Sequence, residues 1–183
     1  MAVSKLLSGG RSIKPNTMNK QFDIIMSNLQ KEILQIKTAS ARGLVLAANH
    51  IRNETELSPP YTPLDKGNLR ASWFTVSAHG LEKDPLGVSG EFRNNPKVNK
   101  KASEFKQMYV TAIGEAKAMV ATKAGRSSVM FGYGANYALW VHEMIGAVNW
   151  SKEGSGAKWF ERAISRNHGK ILEIIGNHSR IKK

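Results

Sequence analysis

One helical period runs from about Met18 to Ile51 of this 183-residue chain, and few compact folds can hold it. Phe22, Ile25, Leu29, Ile33, Ile36, Leu44, Ala48 and Ile51 recur largely at three- and four-residue steps, with Gln, Lys and Asn between them. Asn16 or Thr17 stands where a helix cap is needed. A helix of ~35 residues is ~50 Å long at the standard rise, longer than a small domain is wide. Part of it is therefore expected to pack on neighbouring subunits. Gly43 is its weak point and marks either a bend or a close packing contact. Ser58-Pro59-Pro60-Tyr61-Thr62-Pro63 must end the helix, because proline lacks the amide donor and crowds the preceding turn.

Asp65-Lys66-Gly67-Asn68 is turn chemistry, with Gly67 expected at positive φ. From Arg70 to His79 the chain alternates, Phe74, Val76 and Ala78 on one face and Trp73, Thr75, Ser77 and His79 on the other, which predicts a strand. Residues 80–101 carry Gly, Pro, Asn and Lys and read as a long loop, with a short strand near Val88. Residues 102–123 return to helical spacing through Phe105, Met108, Tyr109, Ala112, Ala116, Met119 and Val120. Ser128 to Tyr133 alternates again and predicts a second strand. Asn136 to Met144 fits either a short helix or a strand continuation. Ala157 to Ile175 predicts one amphipathic helix with Phe160, Ala163, Ile164, Ile171 and Ile175 inward. The reading is thus α+β: a long N-terminal helix, a small antiparallel sheet, a C-terminal helix packed on it, and a helical insertion between the strands. A single domain is expected over 17–176, with the insertion at 80–126. Residues 1–16 form a flexible basic arm in this reading, ordered by a partner, and 177–183 a basic tail.

The charge balance is +13, and the sequence pI is near 10.1. Such an excess points to nucleic acid, an anionic surface or an acidic partner, or else to a solvated basic face. Lys97, Lys100, Lys101, Lys106, Lys117, Lys123 and Arg126 oppose only Glu104 and Glu115 over residues 97–126, which makes them candidates for a DNA channel or a partner-facing surface. Without cysteine there is no disulfide or thiolate metal site. No apolar run approaches the ~18 residues of a membrane span, and the N-terminal apolar stretch is too short for a signal peptide.

Candidate chemistry fails on spacing. His142-Glu143 begins like a zinc-protease helix, but Gly146 stands where the second histidine would be needed. Gly132-Tyr133-Gly134 lacks the third glycine and acidic partner of a dinucleotide fingerprint. No nucleophile, base and orienting group can be assembled, so no enzyme activity, metal or cofactor is expected. The aromatic set is more informative. Tyr137, Val141, Trp159 and Phe160 are read as core, whereas Trp140 and Trp150 cannot both be buried in a small sheet–helix domain. One of that pair is expected at a subunit contact.

Three motifs combine in order: Pro63-x-Asp65-x-Gly67-x-Leu69-Arg70-x-Ser72, then Tyr137-Ala138-x-x-Val141-His142-Glu143, then Ala157-Lys158-Trp159-Phe160-Glu161-x-Ala163. Together they resemble the tail-completion (neck, head–tail joining) family of long-tailed bacteriophages, over about residues 18–79 and 127–176. The resemblance implies a structural virion protein, assembled in the host cytoplasm, that forms a homo-oligomeric ring of six- or twelve-fold symmetry at the head–tail junction. Its implied partners are portal, adaptor or head-closure proteins on one side and tail terminator or tail-tube proteins on the other, with non-specific contact to genomic DNA and no membrane. Asp65, Gly67, Arg70, Trp140, His142, Glu143 and Trp150 are the interface candidates, and Glu143 is the expected partner of Arg70. The chain departs from the family pattern in its long 80–126 segment and in its basic arm. The alternative readings are a basic nucleic-acid-binding protein, or another phage morphogenesis component such as a tail terminator or minor capsid protein.

Overall fold

The computed structural model describes residues 15–78, 80, 91–123, 126–146 and 148–179, with side chains from Lys20 onward. Most of the expected arm, His79, the strand expected near Val88, and Arg180, Lys182 and Lys183 of the basic tail lie outside these residues. The first element, α1, spans Pro15–Leu57. Pro15 and Asn16 of the expected arm are thus already helical, and the helix does not begin at the cap expected at Asn16 or Thr17. The helix ends before the proline pair as expected, and Ser58 closes it by donating from its amide to the Glu54 carbonyl (3.2 Å) and from its hydroxyl to the Glu54 carboxylate (3.1 Å).

Contacts divide the chain after Gln35. In the first unit the described part of α1 is exposed, including Phe22, Ile25, Leu29 and Ile33. In the second unit the remainder of α1 buries Ala41, Ala47, Ala48, Ile51 and Thr55. Small residues on this stripe let the backbone approach its neighbours closely. Gly43 is the tightest case: a Cβ there would meet the carbonyl oxygen of Ile175 at 3.1 Å. Of its two expected roles, the close contact is the one found.

The second unit is built on two antiparallel strands, β1 (Trp73–Ser77) and β2 (Val129–Tyr133), with Trp73 opposite Tyr133 and Ser77 opposite Val129. Every residue of β1 is buried, because both faces of this small sheet are covered. Phe74 and Val76 face the helix α3 (Ala102–Ala121) through Tyr109, Ile113, Ala116 and Val120. Trp73 on the other face packs with Ile51 of α1 and with Ala163, Phe160 and Ile164 of α5 (Trp159–Arg166). The Tyr109 hydroxyl donates to the Trp73 carbonyl at 3.0 Å, pinning α3 to the strand. Truncating a fully buried aromatic such as Trp73 costs ~3–5 kcal/mol, so this residue is a main determinant of the fold. The α+β architecture is as read from the sequence.

Two local expectations are corrected and one open alternative is settled. Arg70 does not begin the strand: Asn68–Ala71 forms a single helical turn, α2, and β1 starts at Trp73. The ambiguous 136–144 stretch contains a short helix, α4, over Ala138–Glu143. The expected C-terminal helix is two, α5 and α6 (His168–Ser179). The break falls at Asn167, whose amide donates to the Ala163 carbonyl (2.9 Å) and the Glu54 carboxylate (3.2 Å), while its oxygen meets His50 Nε2 (3.2 Å). Polar bonds to α1, together with the local bond to Ala163, hold the chain at the bend. Burial alone would raise the Glu54 pKa, yet the bonds from Asn167 and Ser58 and the charges of His50 and Arg166 bring it below the ordinary value.

Candidate interaction surface

An apolar groove of about 430 Å³ opens between residues 63–69, residues 95–100, α4 and residues 148–151. Leu64, Val98, Phe105, Tyr137, Val141, Val148 and the two tryptophans Trp140 and Trp150 supply its apolar surface, with Asp65 and Lys100 at polar positions. One turn organises two of its walls. Gly67 takes φ 86°, as expected, and so directs the chain into α2. Asn68 is buried there, and its side chain pairs with the backbone of Arg93: Nδ2 donates to the carbonyl (2.8 Å) and Oδ1 accepts from the amide (2.7 Å). This mimics one rung of a β-ladder and ties the incoming segment to the turn. Asp65 adds a second tie, accepting from Asn95 Nδ2 (3.1 Å) and Lys97 Nζ (3.4 Å).

The segment then enters α3 through two further caps. Asn94 accepts from the Ala102 amide (2.8 Å), and Glu104 accepts from the Lys101 amide (2.9 Å). On the opposite wall Tyr137 meets Phe105 edge to face at 6.1 Å between centroids. Burial, reinforced by the nearby Asp65 carboxylate, pushes the Tyr137 phenol up to about 12. Trp140 is 68% exposed at the rim, while Trp150 is half-buried in the groove. Trp159 is buried and Tyr137, Val141 and Phe160 are half-buried against the core, as their pattern predicts.

Behind the groove, α4 is fastened to α5. The His142 ring stands edge-on to Trp159 at 4.9 Å, and the Glu161 amide donates to His142 Nε2 (3.4 Å). With Nε2 accepting, Nδ1 carries the proton and donates to Glu143 (2.7 Å). Glu143 also pairs with Lys158, whose ammonium reaches Glu161 at 3.3 Å, and the Lys158 amide donates to the His142 carbonyl at 2.8 Å. Lys158 holds Glu143 below its ordinary pKa, with His142 adding to the effect; Glu143 in turn raises Lys158. Lys158 itself adopts the left-handed conformation, φ 58°, which is uncommon outside glycine. The partners of His142 include no hydroxyl or thiol. The arrangement clamps two helices.

The expected Arg70–Glu143 pair does not form within the chain. Glu143 is engaged by Lys158 and His142, while Arg70 Nη2 donates to the Thr62 carbonyl (3.3 Å) from α2. Among the interface candidates, Asp65, Gly67, Trp140 and Trp150 converge on the groove, His142 and Glu143 sit behind it, and Arg70 faces a separate depression with Glu56 and Glu91. The basic candidates do not form one patch. Lys97, Lys100 and Lys101 belong to the segment before α3, and Lys97 is paired with Asp65. Lys106 and Lys117 are eleven residues apart on α3, which returns them to nearly the same exposed stripe. Lys123 and Arg126 are exposed beyond its C-terminal end.

Sequence reasoning missed Asn68 and Lys158 as organising residues. A turn asparagine carries no signal of a partner twenty-five residues away, and a left-handed lysine has no compositional mark. Among the described residues no cluster of His, Asp or Glu is arranged to hold a metal, and no helix is long and apolar enough to cross a membrane. Comparison with protein-family models, with curated proteins and with solved structures finds no match to this chain.

Proposed function

We propose that this protein is a structural, non-enzymatic subunit of the neck of a long-tailed bacteriophage, acting as a homo-oligomeric ring that joins the head connector to the tail. One observation carries the reading. The three motifs of the family resemblance, far apart in sequence, are spatial neighbours: the first and second wall a single groove, and the third is clamped to the second through Lys158, Glu143 and Trp159. A set of motifs with one structural purpose requires such convergence. The groove, with Trp140 exposed on its rim, suits protein contact, since exposed tryptophan is enriched at interfaces. Lys106 and Lys117 offer a sparse cationic stripe that would reduce repulsion of passing DNA without reading its sequence.

Negative-stain microscopy of the purified full chain is the test. Closed rings are the expected result. Monomers that bind DNA with steep salt dependence would instead support a nucleic-acid-binding role, and monomers indifferent to DNA would overturn both readings.

A further inference from the structure

We propose that residues 20–37 of α1, exposed from Lys20 to Ile36 and half-buried at Lys37, pair in parallel with the same segment of a second copy of this chain. Phe22, Met26, Leu29, Ile33 and Ile36 follow one another at steps of four, three, four and three residues, and all five are 39–63% exposed. This is a heptad seam: Met26 and Ile33 take the a positions, and Phe22, Leu29 and Ile36 the d positions. A helical segment with so few tertiary contacts is marginal in water unless an apolar face is covered. The seam has a defined end. Beyond Ile36 the same helix turns to small residues and buries Ala41, Ala47, Ala48 and Ile51 in its own core.

Charge placement identifies the occupant and its direction. Glu32 is a g position and Lys37 the e position five residues later, so in a parallel pair Glu32 of one copy faces Lys37 of the other, twice by symmetry. In an antiparallel pair centred on the seam, g faces g, and Glu32 would lie against Ile25 with no cation. Ile33 at an a position and Leu29 at a d position follow the preference of parallel two-stranded seams, whereas Ile36 at a d position follows that of parallel seams with more strands. A foreign partner would have to reproduce both the apolar register and the charge offset; a second copy carries them already. The proposal shares with the neck reading only self-association, and it stands for any parallel assembly of this chain.

The chain has no cysteine, which allows a clean test on the full-length protein. Leu29→Cys should form a disulfide-linked dimer on mild oxidation, because a parallel register brings each d position to its own copy within bridging distance. The double variant Leu29→Glu, Ile33→Glu should raise the dissociation constant measured by sedimentation at least about a hundredfold, since it places carboxylates across a buried seam. Its thermal midpoint, read at a concentration where the wild type is dissociated, should match the wild type, showing that the core is intact. Wild type that sediments as a monomer at micromolar concentration, association unaffected by the double variant, or no cross-link at position 29 would each overturn the proposal. Rings that persist in the double variant would refute the seam and leave the neck reading standing. Loss of association in a protein that plays no part in head–tail joining would do the reverse.

Discussion

Replacing Asn68 by alanine should loosen a whole wall of the groove. The Asn68 side chain makes two short hydrogen bonds to the Arg93 backbone, 2.8 and 2.7 Å, from a buried position at the start of α2. Each such bond contributes ~1 kcal/mol net, because folding exchanges water bonds for internal ones. Arg93 is exposed, so water can serve its amide and carbonyl after truncation, and the larger penalty of an orphaned buried group does not apply. The expected loss is therefore ~2 kcal/mol, which in a domain of this size lowers the thermal midpoint by about 4–8 °C. Asp65→Ala is the control. It removes the other tie to the same segment, but Asp65 is exposed and its partner Lys97 more so, and such pairs are worth under ~1 kcal/mol. Circular dichroism melts give the midpoints, and hydrogen exchange at residues 91–100 locates the effect. Asn68→Ala should accelerate exchange there while leaving β1 protected. A midpoint within about 1 °C of wild type, or equal losses for the two variants, would refute the claim that the buried amide and not the exposed ion pair holds this wall.

Tyr137 gives a pH dependence. Its phenol is raised to about 12 in the folded state against an ordinary value near 10, so the unfolded chain ionises first as pH rises; its contribution is intact below about 10 and is lost between there and about 12. Tyr137→Phe should flatten the decline of stability across that window, and an unchanged slope in alkaline denaturant titrations would count against the assignment. Tyr133→Phe removes a hydroxyl placed 2.9 Å from both Thr55 and Thr62, whose own protons still reach the carbonyls of Arg52 and Thr55; a loss of ~1–2 kcal/mol by urea unfolding is expected, and none would mean that the hydroxyl is not bonded. Gly154→Ala combines a positive φ of 76° with a Cβ only 2.7 Å from the Tyr61 ring, so it should destabilise by ~1–3 kcal/mol, whereas a neutral effect would show that this turn can rearrange.

The elements that a local pattern encodes were legible without the structure. The helical period of α1, the proline stop after Leu57 and the positive φ at Gly67 each follow from steric or burial preferences of neighbouring residues. The alternation of both strands was equally local, since side-chain direction in a strand depends only on position. Tertiary structure alone decided where polar groups find partners. At Asn167, where the expected C-terminal helix breaks, the side chain meets Glu54 and His50, more than a hundred residues earlier. Arg70 and Glu143, a pair by motif position, do not meet within the chain: Glu143 pairs with Lys158 and His142, while Arg70 reaches the Thr62 carbonyl. Periodicity records which face of a segment is apolar and says nothing of distance in space. A hydrogen bond or ion pair depends on that distance to within an ångström, so the groove and its clamp emerge only when the helices are docked on the sheet.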